Sequence, residues 1–535
     1  MSEKTIFPPA AVDSRPDLTG KSHRFTPLFI ILAALCGLAF AGANLFSDVA
    51  DAGQNVSSTS YVPFLLLGLA LVIALGFEFV NGFHDTANAV ATVIYTHSLT
   101  PGVAILWSGL CNFSGVMLSS GVVAFGIISL LPVDLILQAS SGHGFAMIYA
   151  LLFSAIIWNL GTWYLGLPSS SSHTLIGSII GVGVANAIDH GRSGLDGVNW
   201  DQALNVAYAL LLSPVVGFVC AAGLLLLMKK VIRNRQLYVS PEGKRPPPPW
   251  IRGLLILTCT GVSFAHGSND GQKGMGLIML ILVGTMPIVY ALNRSIPPEQ
   301  IPRVAALSQV TEQQLLNGQP AALSTPPRDV LIQFVSSGDN TPQVLPALSM
   351  TLHNIATQIK QYGSMDRIPA QLVANTRNDM YLASESIKAL KTHEVSLPAE
   401  TQNNLDAMKR ELDNATRFIP LWVKVVVALA LGLGTMVGWR RIVITVGERI
   451  GKNHLSYAQG ASAELVAMVT IGAADGFGLP VSTTHVLSSG VAGTMAANRS
   501  GLQMATLRNL LIAWVLTLPV SILISALLYM LFIRL

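Results

Sequence analysis

The chain has 535 residues, of which 51% are hydrophobic and only 11% are charged. Soluble globular domains carry about 25% charged residues, so this composition excludes an ordinary soluble protein and indicates a membrane protein. The net charge of +4 is too small to suggest a nucleic-acid partner, and no basic cluster is interleaved with aromatic residues.

Apolar runs of bilayer length, roughly 20 residues each, recur along the chain and predict membrane-spanning helices. They lie at 26–46, 61–81, 102–131, 143–167, 204–228, 251–268, 272–293, 418–438, 460–479 and 504–534. Shorter apolar stretches at 169–187 and 483–497 are candidates for half-helices. The sequence therefore predicts an all-α polytopic membrane protein.

The distribution of basic residues predicts the orientation. Lys and Arg cluster at 229–252 and at 440–452, which places both loops in the cytoplasm, whereas 47–60 is acidic and should face out. The N-terminus is then cytoplasmic and the C-terminus external. The same rule requires 251–293 to cross the membrane only once, with a break or re-entrant turn expected at the Gly-rich stretch 267–276.

Two pairs of motifs reveal an internal repeat. "FVNGFHDTANAVA" at 79–91 aligns with "FAHGSNDGQKGMG" at 264–276, and "GLPSSSSHTL" at 166–175 aligns with "GLPVSTTHVL" at 478–487. The first repeat starts outside and the second starts inside, so the two halves have inverted topology. Inverted repeats with broken helices are the usual build of secondary transporters, although a channel can share the symmetry.

The repeat defines the predicted organisation of the chain, in which a polar, mostly helical insert interrupts the second half and should be external. The predicted divisions are a cytoplasmic tail at 1–25, an extra transmembrane helix and external loop at 26–60, repeat 1 at 61–228, a cytoplasmic basic linker at 229–250, the first part of repeat 2 at 251–293, the insert at 294–417 and the remainder of repeat 2 at 418–535.

The hydroxyl-rich motifs are candidates for an anion site. Pro168 and Pro480 each end a helix, and the residues of 169–172 and 482–484 can cap the start of the next one. A helix N-terminus offers unpaired N–H groups and a positive dipole end, and two of them facing each other could enclose a tetrahedral oxyanion. The alternative is plain N-capping beside helix packing, but the recurrence of the motif favours a binding role.

The other motif pair supplies Asp85, Asn88, Asn269 and Asp270, whose oxygen atoms suit small cations or protons. An intramembrane aspartate costs roughly 3 kcal/mol or more to bury and is a functional candidate by default. The alternative is a structural aspartate that caps a broken helix. Recurrence at matching positions in both halves favours coupling to an ion.

Six further polar residues in or beside these motifs are weaker candidates, because each has an equally plain structural explanation. His84 has no counterpart in the second copy, and Lys273 is either an anion partner or a side chain that snorkels to an interface. His173 and His485 are either linked to protons or satisfy helix ends. Glu78 and Glu464 fall in apolar runs and are candidates for a coupling-ion path. These candidates are His84, His173, Lys273, His485, Glu78 and Glu464. No fixed metal site and no cofactor is predicted.

At these motifs the chain resembles the inorganic phosphate transporter (PiT) family. "GFHDTANAVAT" and "HGSNDGQKGMG" resemble that family's duplicated Gly-Ala-Asn-Asp signature, although Phe83 and His84 replace Ala-Asn in the first copy. The two Gly-Leu-Pro motifs also match. The likeness covers 61–293 and 418–534 and is greatest to the bacterial low-affinity Pit-type branch, which is similar in carrying a polar insert at this place.

The resemblance implies import of inorganic phosphate across the cell (inner) membrane, driven by protons, with phosphate taken as a neutral complex with a divalent metal ion such as magnesium. It assigns cation or proton coupling to Asp85, Asn88, Asn269 and Asp270. It assigns phosphate binding to Ser170, Ser171, Ser172, Thr174, Gln272, Ser482, Thr483 and Thr484. Arsenate is expected to be carried as a phosphate mimic.

The sequence leaves three alternative functions undecided, and it also allows a homo-oligomer. They are a sodium-coupled symporter, an anion channel on the same scaffold, and a membrane-embedded enzyme acting on phosphate esters. The sequence contains no Walker-type loop, no HExxH and no Gly-x-Ser-x-Gly, which disfavours an enzyme. Saturable, gradient-driven uptake would separate a carrier from a channel.

Overall fold

The computed structural model describes residues 15–18, 26–51, 62–131, 142–241, 243–316 and 323–534. These residues are almost entirely helical, and the β-type pairing described among them is an isolated bridge between Gly451 and Leu502. Apart from 15–18, the predicted N-terminal tail lies outside the described residues.

The helices of the first half precede the basic linker. They are α1 (Thr26–Asp51), α2 (Val62–Tyr95), α3 (Pro101–Leu118), α4 (Val122–Ile128), α5 (Gly142–Tyr164), α6 (Ser171–Asp189) and α7 (Trp200–Val231). The helices of the second half follow it. They are α8 (Pro249–Thr285), α9 (Pro287–Tyr290), α10 (Ile301–Leu316), α11 (Pro327–Ser337), α12 (Val344–Tyr362), α13 (Ala370–Thr392), α14 (Ala399–Thr416), α15 (Leu421–Thr435), α16 (Arg440–Ile444), α17 (Tyr457–Gly476), α18 (Thr483–Ala497) and α19 (Met504–Phe532).

Among the described residues, seven helices are long and apolar enough to cross a membrane, namely α1, α2, α3, α5, α6, α7 and α19. Helices α14 and α15 meet at a bend of 72° and pass the same test only as a pair. Large apolar side chains on the outer faces of α1, α7 and α19 are exposed, as expected of surfaces that face lipid. The chain is therefore an all-helical membrane protein.

The break predicted at 267–276 is wrong, because α8 runs through these residues as one continuous helix. The glycines there allow close packing on α3: a Cβ atom on Gly267 would lie 2.2 Å from the backbone oxygen of Asn112, and one on Gly271 would lie 2.5 Å from Val116. The helix ends instead before Pro287, where the residue ahead of a proline is disfavoured in helical conformation.

The single span predicted at 102–131 is also wrong. It divides into α3 and the short helix α4, separated by residues 119–121. Gly121 has a φ of 88°, a left-handed conformation that favours glycine. The turn lets α4 leave the axis of α3 and pack against α8.

Two helix hairpins contain the Gly-Leu-Pro motifs. Helices α5 and α6 form the first hairpin, and α17 and α18 form the second. Gly166 and Gly478 both have a φ of 68° just after the first helix of each hairpin, where only a glycine avoids strain. Helices α6 and α18 lie at the two stretches predicted as half-helices, 169–187 and 483–497. The 15-residue α18 agrees with that prediction, whereas α6, with 19 residues, is long enough to cross a membrane by itself.

The residues of the predicted insert form helices α10 to α14. Their buried apolar side chains, such as Phe334, Leu352 and Met408, belong to a hydrophobic core that continues without interruption into α4 and α8 of the apolar part. These helices therefore rest on the apolar part through a shared core.

Small residues allow α6 and α19 to approach closely. A Cβ atom on Gly181 would lie 2.2 Å from the backbone oxygen of Ile522. Since overpacking of this kind costs about 1–3 kcal/mol, we expect Gly181→Ala to lower the melting temperature of the detergent-solubilised protein. Gly223→Ala is the matched control, because no atom lies within 4 Å of its added Cβ. Equal melting temperatures for both variants would contradict close packing here.

Candidate functional site

The hydroxyl motifs begin two helices in the same way. Ser170 is the N-cap of α6 and accepts a hydrogen bond from the backbone N–H of His173 at 3.2 Å. Ser482 is the N-cap of α18 and accepts one from the backbone N–H of His485, also at 3.2 Å. The capping predicted from the sequence is therefore present in both copies.

The two helix starts lie against each other. The hydroxyl of Ser172 donates to the backbone oxygen of Val481 at 2.8 Å, which joins the start of α6 to the segment just before α18. On the other side, the rings of His173 and His485 lie 4.6 Å apart between centroids. The positive ends of two helix dipoles thus converge in one region of the protein.

Asp85 on α2 contacts both motifs. Its carboxylate accepts hydrogen bonds from the hydroxyl of Ser171 at 2.5 Å and from that of Thr484 at 2.7 Å. Nδ1 of His84 lies 3.0 Å from the same carboxylate. Asn88, one turn further along α2, donates to Thr484 at 2.9 Å. The predicted coupling residue and the predicted anion motifs are therefore one connected cluster.

Lys273 on α8 makes the corresponding contacts in the other half. Its Nζ lies 2.6 Å from a carboxylate oxygen of Asp270 and donates to the hydroxyl of Ser172 at 2.5 Å. Lys273 aligns with Asn88 in the repeat, and each donates to a hydroxyl of the opposite half. Its side chain is fully buried. The alternative of a snorkelling lysine is therefore wrong, and Lys273 is an ion-pair partner.

Gln272 and Asn269 belong to the 264–276 motif, but they contact groups other than the hydroxyls of the Gly-Leu-Pro motifs. The amide of Gln272 donates to Asp475 at 2.5 Å and accepts from the backbone N–H of Val123 at 2.9 Å. The side-chain amide of Asn269 donates to the backbone oxygen of Leu479 at 3.1 Å. Both residues thus stabilise the turn before α18 and the start of α4.

Two predicted phosphate ligands differ in their surroundings. Thr174 lies one turn into α6, and its hydroxyl donates to Asn159 at 3.0 Å and to the backbone oxygen of Ser170. Its hydroxyl is therefore hydrogen-bonded within its own helix hairpin. The hydroxyl of Thr483 is buried and has no hydrogen-bond partner within the described part of the chain. Thr483 thus has a buried hydroxyl that no described group occupies.

Three groups are close enough together to hold a cation. One ligand atom from each of Asp85, His266 and Asp270 lies within 4.8 Å of the other two, and all three side chains are buried. The other nitrogen of the His266 ring lies 2.7 Å from the side-chain oxygen of Asn112, which fixes the ring orientation. Two carboxylates and an imidazole suit a small divalent cation.

The two buried glutamates occupy different places. Glu464 accepts hydrogen bonds from the hydroxyls of Thr92 and Thr258, away from the hydroxyl motifs. Glu78 lies on α2 and packs against Gly274 of α8, which is one helical turn after Asp270.

All eighteen residues proposed from the sequence are at most 8% exposed, so the site is closed in this conformation.

A separate cavity of about 690 Å³ opens on the apolar surface between α7, α18 and α19. His173, His485 and Trp514 form its inner wall, and nearly all other lining groups are apolar. The ring of His485 stacks on that of Trp514 at 4.1 Å. The hydroxyls of Ser171, Thr484 and their neighbours do not line this cavity, so it is not the candidate anion site.

Known proteins place the chain in a family. The sequence model of the phosphate transporter family matches residues 81–525. The chain belongs to this family. It is 43% identical over 491 residues to the low-affinity inorganic phosphate transporter PitA of Escherichia coli, covering 87% of this chain and 96% of that protein. It is 29% identical over 467 residues to a probable low-affinity inorganic phosphate transporter of Bacillus subtilis, covering 87% and 97%.

A solved structure titled "The sodium-dependent phosphate transporter" is similar with a TM-score of 0.49 and 18% identity, covering 87% of this chain and 98% of that chain. The relatives of this phosphate transporter family member are named as transporters, in agreement with the prediction that the chain is not an enzyme.

Sequence reasoning missed three residues of this family member's site. His266 and Asp475 contact the predicted residues Asp270 and Gln272, and Asn112 contacts His266, yet none of the three was assigned to the site. His266 had a readable signal, since it stands four residues before Asp270 on a helix and therefore on the same face. Asn112 and Asp475 had none, because their contacts join segments far apart in the chain.

Proposed function

We propose that this family member is a secondary active symporter that imports inorganic phosphate across the cell inner membrane, coupled to protons by alternating access. The observation that carries the proposal is the contact of Asp85 with hydroxyls of both motifs, Ser171 and Thr484. A group that can exchange a proton or hold a cation thereby touches the groups that would bind phosphate, which is what coupling requires.

Phosphate would bind where the starts of α6 and α18 converge. Both helix starts offer hydroxyl and backbone N–H donors, which suit an anion held between two opposed helix N-termini. The donors belong to Ser170, Ser171 and Ser172 on one side and to Ser482, Thr483 and Thr484 on the other. Lys273 adds the positive charge that such an anion needs, since it already contacts Ser172. Gln272 would take part only after leaving Asp475.

Proton coupling would depend on Asp85 and Asp270, supported by Asn88 and Asn269. His84, which replaces the Asn of the family signature, contacts Asp85 and Thr162 and is itself titratable. A divalent metal ion carried with phosphate would find oxygen and nitrogen ligands at Asp85, His266 and Asp270. Metal–phosphate is thus the transported species that this cluster supports.

The inverted repeat supports a carrier. The pairs Asn88–Thr484 and Lys273–Ser172 each join one motif to the hydroxyl motif of the other half, as a pseudo-twofold relation requires. The distribution of basic residues supports an orientation with the N-terminus inside and the insert and C-terminus outside. Burial of all these groups favours a closed carrier conformation over an open channel.

The test is uptake of radiolabelled phosphate into proteoliposomes under imposed pH or sodium gradients, with and without magnesium. We expect saturable uptake that an inward proton gradient drives and that magnesium increases, with arsenate competing. Dependence on sodium would transfer the proposal to a sodium-coupled symporter. Non-saturable flux would indicate a channel, and the absence of phosphate uptake under every gradient would overturn the proposal.

A further inference from the structure

Arg377 is a buried arginine at the contact between the insert and the apolar helices. It lies on α13 and is 7% exposed. It lines a small cavity of about 20 Å³ together with Tyr381 of the same helix, Ile128 of α4 and Met279 of α8. This cavity has room for about one water molecule. The insert thus places a guanidinium group directly on α4 and α8.

No described carboxylate forms an ion pair with Arg377. Its Nη1 donates weakly to the side-chain oxygen of Asn378 at 3.3 Å, and its Cζ lies 4.7 Å from the centre of the Tyr381 ring. Its Nε is buried and has no hydrogen-bond partner among the described residues. Burial lowers the pKa of the guanidinium to about 10. A buried cation without an anion is costly for folding, and perturbed ionisable groups of this kind cluster at functional sites.

The nearby carboxylates are already committed to other cations. Arg417 contacts Glu385, and its Nε lies 3.1 Å from Asp413. Lys409 also lies 2.5 Å from Asp413. Lys388 lies 3.9 Å from Glu385, so the two carboxylates face three cations. Arg377 adds positive charge that no described carboxylate pairs with.

This excess charge lies near the C-terminal end of α8, beyond the candidate phosphate site. Met279, beside Arg377, is two turns along α8 from Gln272, a distance of about 10 Å. Helix α4 also connects the two places, since the N–H of Val123 donates to Gln272 and Ile128 at its other end lines the cavity of Arg377. An anion that entered between α4, α8 and the insert would therefore pass Arg377 first.

We propose that Arg377 is a capture site for an inorganic oxyanion. The anion binds the guanidinium where the insert contacts α4 and α8, on the external side, before it reaches the hydroxyl motifs. This inference rests on the proposed function and on the external placement of the insert. Arginine suits this role, because its planar set of N–H donors matches the oxygen atoms of phosphate and remains charged at every physiological pH. The contact between the insert and the two helices has to open for the anion to enter.

The test compares Arg377→Gln, Arg377→Lys and the control Arg303→Gln, an exposed arginine of α10, in radiolabelled phosphate uptake by proteoliposomes. We expect Arg377→Gln to raise KM for phosphate about tenfold with kcat unchanged, since a charged hydrogen bond is lost. Arg377→Lys should keep part of the affinity, and the control should match the wild type. The wild-type KM should also rise more steeply with ionic strength than that of Arg377→Gln.

A melting curve separates capture from a structural role. Because Arg377 is an unpaired buried cation, we expect Arg377→Gln to keep or raise the melting temperature in detergent. An unchanged KM, or a KM effect that comes with lower melting temperatures in both Arg377 variants, would overturn the inference. Uptake by the wild type alongside an unchanged KM in the variants would refute capture alone, whereas no uptake by the wild type would refute the proposed function.

Discussion

Asp85→Asn is expected to abolish concentrative phosphate uptake while leaving expression and melting temperature close to those of the wild type. The change is nearly isosteric, so the packing of α2 is preserved. However, an amide cannot bind and release a proton or hold a cation by charge. Its NH2 group would also face the hydroxyls of Ser171 and Thr484, which now donate to the carboxylate. The measurement is the steady-state accumulation of phosphate in proteoliposomes under an inward proton gradient.

The control for Asp85→Asn is Asp339→Asn, which removes the same charge from an exposed position of the insert and should accumulate phosphate normally. Counterflow without a gradient adds a second readout. If Asp85 serves coupling alone, phosphate exchange survives in Asp85→Asn although accumulation is lost. If the loss extends to exchange, the carboxylate also organises the hydroxyls for binding. Normal accumulation by both Asp85→Asn and Asp270→Asn would remove the coupling role.

The helix starts were predictable because their signals are local. A proline followed by hydroxyl residues predicts a helix end and a new N-cap within a few positions, and Ser170 and Ser482 are those caps. The repetition of both motifs also indicated two related halves, whereas the contact of Asp85 with the hydroxyls of both motifs is seen only in the structure. The inferences about the caps and the halves need only the sequence within each motif and the comparison of its two copies.

The Gly-rich stretch 267–276 misled the prediction because glycine has two opposite uses in a membrane helix. It can break the helix, or it can let a neighbouring backbone approach, as Asn112 approaches Gly267. Only the position of α3 decides between them, and the sequence does not give it. The same limit applies to Gln272, which resemblance assigned to phosphate but which contacts Asp475 from a distant segment.

The buried ion pair of Lys273 and Asp270 leads to the other large prediction. Both side chains are fully buried, and their charged atoms lie 2.6 Å apart. Lys273→Met removes the cation and leaves the carboxylate without its counter-ion, a change that costs roughly 3–5 kcal/mol for a buried pair. We expect a clearly lower melting temperature in detergent and no phosphate uptake.

The double variant Lys273→Met/Asp270→Asn distinguishes stability from function. Without either charge, the pair needs no counter-ion, so the melting temperature should recover most of the loss seen in Lys273→Met. Uptake should stay absent, because the hydroxyl of Ser172 has lost its cationic neighbour and the second half has lost its titratable group. Recovery of both properties would make the pair purely structural. Recovery of stability alone assigns the two charges to transport, since a protein that folds as well without them has no structural need to bury them.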